Sequence, residues 1–355
     1  MEIRSFDGTA EELSAFVVST WKASYTGAVA VPNWTAEYFR WQLQVDSVDN
    51  RQHLVGAYDG SKLAGVVLYF PRRFELDGQN IAGAHASWLS VHADYRRQGI
   101  GGLLKSAAMD RSREQELLFH VGYVFHGSKK SIGPRFWLNS KKSVENPGQS
   151  LGPNVGFWAR ALDARRVARW SVNATERLLA RIGRPFVPAP TVKLNASAVV
   201  RRFQEADLAQ CVELANDATR HCNLRLLWDS TTLKRHLEGF GKCLVAARND
   251  SVQGFIAYHS LVFSGQCNER VGVIDMICVS RMDHSFAAAL LDSVLTDLQR
   301  IGAIVALKLR CRDYPSFLFR RWGWFPSAAH SRTLFSWTGK RFDHSPIHRS
   351  HLLWR

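Results

Sequence analysis

The stretch from Ile81 to Gln115, IAGAHASWLSVHADYRRQGIGGLLKSAAMDRSREQ, constrains this chain more than any other. Its first part, Ile81 to Val91, is short on charge, carries Ala84, Ala86, Trp88, Leu89 and Val91, and follows a turn at Asp77-Gly78. That pattern predicts a strand. The chain breaks at His92-Ala93-Asp94-Tyr95 and passes through Arg96-Arg97-Gln98-Gly99-Ile100-Gly101-Gly102. It resumes with Leu103, Leu104, Ala107 and Ala108 at helical spacing.

A strand that enters a helix through a basic, glycine-rich turn makes a cradle for phosphate. The first amides of a helix have no internal partner, and the helix dipole places partial positive charge there. Glycines admit a ligand close to the main chain, and arginines pair with phosphate oxygens. The expected ligand is a pyrophosphate lying on the amides from Arg97 to Gly102. The spacing is not that of a P-loop, and the Gly-x-Gly-x-x-Gly order of a dinucleotide fold is absent.

The run Val91-x-x-x-x-Arg96-x-x-Gly99-x-Gly101 resembles the Arg/Gln-x-x-Gly-x-Gly/Ala signature of the GNAT superfamily of acyl-CoA N-acyltransferases. The resemblance implies a mixed sheet flanked by helices, with the coenzyme A pyrophosphate on this turn and pantetheine along the preceding strand. It assigns cofactor binding to Leu89, Ser90, Val91, Arg96, Arg97, Gln98, Gly99, Ile100, Gly101, Gly102 and Leu103. Many members have Pro where this chain has Ala93, a small loss of turn rigidity.

The flanking sequence fits that order. Glu2 to Ser5 reads as a first strand, and Glu11 to Lys22 as a helix with Leu13, Phe16, Val17 and Trp21 on one face. The segment Tyr25 to Trp41 is rich in aromatics and has Thr35 placed as a helix N-cap; it reads as a buried helix face or as the wall of an acceptor pocket. His53 to Phe70 is a hairpin turning at Asp59-Gly60. Leu117 to Phe125 predicts a strand parallel to the organising strand and splaying from it.

The second half echoes the first. LVAARNDSVQGFIAYH repeats LVGAYDGSKLAGVVLYF, aligning Gly254 with Gly65 and Tyr258 with Tyr69. Gly272 to Gly302 repeats strand–turn–helix with Val279 in the place of Val91. Its turn, Ser280-Arg281-Met282-Asp283-His284-Ser285, has no glycine and adds a carboxylate that repels phosphate. The fold class expected is α/β (α+β), two tandem GNAT-like domains. Residues 1–160 form the acyl-CoA domain, 161–195 a basic helix and Pro-rich linker, 196–340 a degenerate second domain and 341–355 a tail. Phe157 to Ile182 is read as one arginine-rich helix and 146–154 as a loop.

Acyl transfer to an amine needs a base, donors for the developing oxyanion and an acid for the leaving thiolate. The main chain at Leu89 to Val91 supplies donors. His85, six residues before Val91 and where some GNAT enzymes carry a catalytic Glu, is the candidate base, with His120 and His126 in reserve. Tyr123 is the candidate acid, because positions matching the family tyrosine hold Gly133 and Phe319.

Function classes follow. The chain of 355 residues carries a net charge of +15, which favours anionic partners and argues against polycationic acceptors. Its basic residues are dispersed, so nucleic acid is not the expected partner. No apolar run reaches the ~20 residues of a membrane span. The six cysteines are widely spaced without Cys-x-x-Cys, as in a reduced, cytoplasmic protein, and no metal site is expected, His344, His348 and His351 of the tail included. The reading is an N-acyltransferase using acetyl-CoA or another acyl-CoA on a small-molecule or peptide amine. The alternative is a non-catalytic acyl-CoA sensor or interaction module.

Overall fold

A computed structural model of the chain describes residues 1–126, 136, 149–183, 198–249, 251–320, 323–339 and 344–355. The described elements, in chain order, begin with β1 (Glu2–Ser5), α1 (Ala10–Tyr25), β2 (Val31–Pro32), α2 (Ala36–Leu43), β3 (Leu54–Asp59), β4 (Lys62–Leu76), β5 (Gln79–Val91), α3 (Ile100–Glu114), β6 (Phe119–Phe125) and β7 (Gln149–Val155). They continue with β8 (Phe157–Ala161), α4 (Ala164–Trp170), α5 (Ala174–Gly183), β9 (Ala198–Arg202), α6 (Leu208–Ala218), β10 (Leu224–Leu226), α7 (Ser230–Leu237) and β11 (Lys242–Arg248). The last are β12 (Ser251–Ser264), β13 (Asn268–Cys278), α8 (His284–Arg300), β14 (Val305–Leu309), β15 (Trp324–Pro326), β16 (Ser331–Trp337) and β17 (Ser350–His351).

The chain divides into two compact units: residues 1–154 with 330–347 and 355, and residues 155–329 with 348–354. This differs from the contiguous domains 1–160 and 196–340 expected from the sequence. The sheet of the first unit has the order β1-β3-β4-β5-β6-β16-β7. The sheet of the second has the order β15-β8-β14-β13-β12-β11-β9. The strand that comes late in the chain, β16, thus lies inside the first sheet, and the early strand β8 lies inside the second.

Two local readings are corrected by that pairing. Phe157–Ala161 is a strand rather than the start of a helix, held on both edges by β14 and β15. Sheet insertion, favoured by Phe157 and Trp158, outweighs the strong helix preference of its alanines and arginine. Helix resumes as α4 and α5, separated by Ser171–Asn173, where the Asn173 side chain caps α5 by accepting from Thr175 N–H at 2.8 Å. Residues 149–154 are strand rather than loop, because β7 finds a partner in β16.

In the first unit, α1 begins at a capping box: Thr9 Oγ1 accepts from Glu12 N–H and Glu12 Oε2 from Thr9 N–H, at 3.2 and 2.7 Å. Thr35 caps α2 as its sequence position suggested. The turn at Asp77-Gly78 has positive φ at both residues, the twist a two-residue hairpin requires. It launches β5 against β4. Helix α3 covers one face, burying Ile100, Leu104 and Ala108 against Val55, Ala57, Tyr69 and Ala84. The other face of β5 receives α1 and α2. Gly133, one of the two positions matching the family tyrosine, lies outside the described residues.

The second unit repeats the plan. Strands β11, β12 and β13 form an antiparallel set, β13 runs parallel to β14, and α8 buries Phe286, Leu290, Leu291, Val294 and Leu298 against them. Phe319 lies in this core, stacked on Trp158 at 5.6 Å and edge-on to Trp324 at 4.8 Å. It packs rather than reacts. The tail's His351 is buried, with Nδ1 bonded to Asp313 at 2.9 Å and Nε2 accepting from the Trp228 indole at 3.2 Å. Among the described residues no cluster of His, Cys, Asp and Glu is arranged to hold a metal.

Candidate functional site

The site of the first unit grows from two irregularities in β5. The first is a bulge. Val66 pairs with Ser90 and Leu68 with Ser87, so two residues, Trp88 and Leu89, sit opposite one and leave the ladder. Trp88 takes φ +54°, a backbone region that a bulky side chain rarely adopts, and its indole is buried. The bend exposes main-chain groups of the site strand that a regular ladder would consume. The bulge is clamped from one side: Trp21 Nε1 donates to Ser90 Oγ, and Ser90 Oγ donates to Trp88 O, each at 3.0 Å.

The second irregularity is a fork. Strand β6 pairs with β5 in parallel at only Ala84↔His120 and His85↔Val121. Gly122 permits the contact at its limit, since a Cβ there would lie 2.2 Å from Ala86 O. Beyond that point the other edge of β6 continues in a seven-pair antiparallel ladder with β16, Ser331↔Phe125 through Trp337↔Phe119, while its parallel pairing with β5 has ended. The opening lies between Leu89–Val91 on one strand and Tyr123–Phe125 on the other.

The turn after β5 curls into an uncapped helix start. Ala93–Tyr95 makes one tight turn, with Tyr95 N–H on His92 O at 3.0 Å, so Ala93 holds a bend where many GNAT sequences have Pro. Arg97 and Gly99 both have positive φ, +63° and +79°, curling the main chain ahead of α3. No side chain caps α3 and its first turn has no acid; the Gly102 and Leu103 N–H groups donate to Gly99 O at 2.9 and 3.2 Å, which leaves the amides of Ile100 and Gly101 facing outward from the helix start. Ile100 anchors the helix in the core, while Arg97, Gln98, Gly99, Gly102 and Leu103 face solvent. Arg96 acts as a staple: its Nε donates to Val91 O at 3.1 Å and its Nη2 to Ser24 Oγ at 2.7 Å. It therefore positions the turn, whereas Arg97 is exposed.

The matching turn of the second unit is capped and filled by its own side chains. Asp283 caps α8, accepting from Phe286 N–H at 2.8 Å and Ser285 Oγ at 2.6 Å; these bonds hold its carboxyl below the usual range. Met282 fills the space over Gly254, its sulfur 2.4 Å from where a Cβ would stand. Lys308 is buried and bonds Asp275 O and Asp313 Oδ2, each at 3.0 Å, tying β13 to the segment after β14. These contacts fill in the second unit what is open in the first.

His85 and Tyr123 meet at the fork. They share one face by strand alternation, and their rings lie 6.2 Å apart. His85 is buried and Tyr123 half-buried. His120 faces the other way, toward α3, with Nε2 2.6 Å from Ser112 Oγ and its ring stacked on Tyr69 at 4.8 Å. Burial and, second, the neighbouring His53 push its pKa down to about 3; burial and then Arg111 push His53 to about 4. Both are held neutral away from the fork, and His126 is exposed. Neither reserve histidine stands beside His85.

An aromatic wall closes the α1 side of the opening. Trp21 meets Tyr25 at 5.3 Å and Trp34 at 5.1 Å, Trp34 meets Trp88 at 6.1 Å, and Tyr25 meets Phe125 of β6 at 5.9 Å. The wall runs from the bulge across to the second strand. Residues 25–41 read in sequence as a buried helix face or a pocket wall and Trp21 as part of the apolar face of its helix; the bulged Trp88 had no local signal.

Residues 9–129 match the family model described as an acetyltransferase (GNAT) domain. No curated protein sequence matches the chain. Among solved structures, N-myristoyltransferase from Saccharomyces cerevisiae with bound myristoyl-CoA and inhibitors superposes with a TM-score of 0.70 at 15% identity, covering 97% of this chain and 81% of that one. GCN5-related N-acetyltransferases from Anabaena variabilis (TM-score 0.56, 11% identity, 95% and 73% covered) and Kribbella flavida (0.51, 17%, 94% and 70%) share the fold. Residues 9–129 thus form a domain of the GNAT superfamily, and the chain folds as two tandem GNAT-like units.

Proposed function

We propose that this protein is an acyl-CoA-dependent N-acyltransferase in which the first unit carries out the chemistry with acetyl-CoA, and the second unit is a degenerate copy. The observation that carries the reading is the pairing, in one unit, of an uncapped glycine-rich helix start with a bulged strand that forks from its parallel neighbour. Amides from Gln98 to Gly101, with Arg97, bind the diphosphate against the open surface at Gly102, and β5 from Leu89 to Val91 bonds pantetheine. Peptide groups freed by the bulge at Trp88 and Leu89 donate to the thioester oxygen as it gains charge.

His85 takes a proton from the ammonium of the acceptor, directly or through water; the freed amine attacks the acyl carbon and the C–S bond breaks. The Tyr123 hydroxyl gives its proton to the departing sulfur, and the second proton, shed by the nitrogen as it becomes an amide, returns to the tyrosinate through water. Both groups stand where β5 and β6 part. The acceptor is a small-molecule or peptide amine. Release of thiol from acetyl-CoA in the presence of an amine panel is the test, and His85→Ala is expected to lower the rate tenfold or more with CoA affinity unchanged. Tight CoA binding with no thiol released for any amine would leave a non-catalytic sensor in its place.

The aromatic wall supports a short acyl group. A myristoyl chain needs continuous space past the thioester, and Trp21, Trp34, Tyr25 and Phe125 occupy the α1 side of the opening at ring-contact distances. Trp21 is only half-buried, so the fold tolerates its removal. Trp21→Ala is expected to raise the kcat/KM ratio of octanoyl-CoA to acetyl-CoA by roughly tenfold, on the scale of the methylenes newly accommodated. An unchanged ratio would place the acyl group elsewhere.

A further inference from the structure

The second unit carries a basic face that the acyl-transfer reading does not use. Helices α4 and α5 pack together as a helical hairpin through the bend at Ser171–Asn173. Arg165 and Arg169, one turn apart on α4, are exposed. On α5, Arg181 is exposed and Arg177 half-buried, again one turn apart, and Leu178 stands between them with 55% of its surface open. None of these four arginines has a carboxylate partner among the described residues. The one arginine of α4 that is paired is Arg166, bidentate on the buried Glu269 and donating to Gly302 O at 3.3 Å. The two acids of the hairpin's base are therefore spent on structure: Glu269 on Arg166, and Asp163 on capping α4 at Arg166 N–H.

Like charges in i, i+4 pairs repel by a few tenths of a kcal/mol per pair, and an anionic surface facing the two pairs turns that repulsion into attraction. An exposed leucine among them adds a second clue. A basic helix stripe that also offers an apolar side chain is the pattern of a segment lying in a bilayer interface: the arginines take lipid phosphates and the leucine enters the acyl boundary. A nucleic-acid surface would use the charge but leave Leu178 unexplained, and Trp170, the aromatic of the hairpin, is turned inward, its indole donating to Phe263 O at 3.2 Å.

We infer that the α4–α5 hairpin is a docking surface for an anionic membrane, which the protein binds peripherally through Arg165, Arg169, Arg177, Arg181 and Leu178. The inference rests on the second unit alone and stands whether or not the first unit transfers an acyl group.

Co-sedimentation of the full chain with vesicles of phosphatidylcholine, with and without phosphatidylserine, tests it. Binding to the anionic vesicles only is expected. The quadruple variant R165E/R169E/R177E/R181E is expected to lose it by a hundredfold or more, and Leu178→Asp by about tenfold. A control with the same change of net charge, R73E/R220E/R281E/R300E, alters exposed arginines elsewhere and is expected to retain most of the binding. Equal loss in both quadruple variants would reduce the effect to overall charge and overturn the proposal. So would absence of vesicle binding accompanied by retention of tRNA that the hairpin variant loses. Thermal unfolding of each variant separates loss of the surface from loss of the fold.

Discussion

Replacing Gly102 with aspartate is expected to weaken coenzyme A binding roughly a hundredfold while leaving the fold as stable as before, or more so. Gly102 is the third residue of α3, is exposed, and has nothing within 4 Å of the position its Cβ would take. An acid in a first helical turn interacts favourably with the dipole, and any residue there loses less entropy than glycine on folding. Both effects raise stability by a few tenths of a kcal/mol up to about 1 kcal/mol. The same carboxylate meets the diphosphate at close range, where like charges repel by a few kcal/mol. Stability and affinity therefore move in opposite directions, which a merely damaged protein cannot imitate. Gly102→Asn, of the same shape without the charge, is expected to cost only a few-fold. Titration calorimetry with coenzyme A and thermal unfolding of the three proteins settle the matter; wild-type affinity in Gly102→Asp would remove the turn from the site. The second unit already carries this experiment in its own sequence, since Asp283 caps the equivalent helix.

Residues 1–154 expressed alone are expected not to fold cooperatively, although they contain the entire family-matched domain. The missing piece is β16. It contributes seven register pairs to β6, stands between β6 and β7 in the sheet, and buries Leu334, Phe335 and Trp337. Each such side chain is worth about 1.5–3 kcal/mol on burial. Their loss, with an unpaired edge on both neighbours, approaches the entire 5–15 kcal/mol by which a domain is stable. Joining residues 330–347 to 154 through a flexible linker is expected to restore a sharp thermal transition. A fragment 1–154 that melts cooperatively on its own would show that β16 decorates the first unit rather than completing it.

Much of the site was legible in the sequence because the physics there is local. A glycine-rich basic run between an apolar strand and a helical period says where an anion can lie, and the family signature attaches a ligand class to it. The capping residue Thr35 and the turns at Asp59-Gly60 and Asp77-Gly78 are equally local. The approach of His85 to Tyr123 was different. Those residues are far apart in the chain, and only the two-pair parallel register of β5 on β6, allowed by Gly122, sets their rings on one face. Arg96 was expected on phosphate; its position near Ser24 and Val91, which makes it a staple, depends on how α1 packs against β5.

The sequence by itself determined most of the strands and helices in the first 125 residues, the glycine-rich turn into an uncapped helix, and that a second copy of the plan with an acid at that turn follows. It did so because periodicity, glycine and capping chemistry act over a few residues. Tertiary structure alone decided that Phe157–Ala161 is a strand, that Ser331–Trp337 completes the first sheet, and that Trp88 bulges at positive φ. A strand's partner is chosen by the free edge that buries its side chains, and a strained backbone persists only where surrounding packing holds it; neither is written in the neighbouring residues.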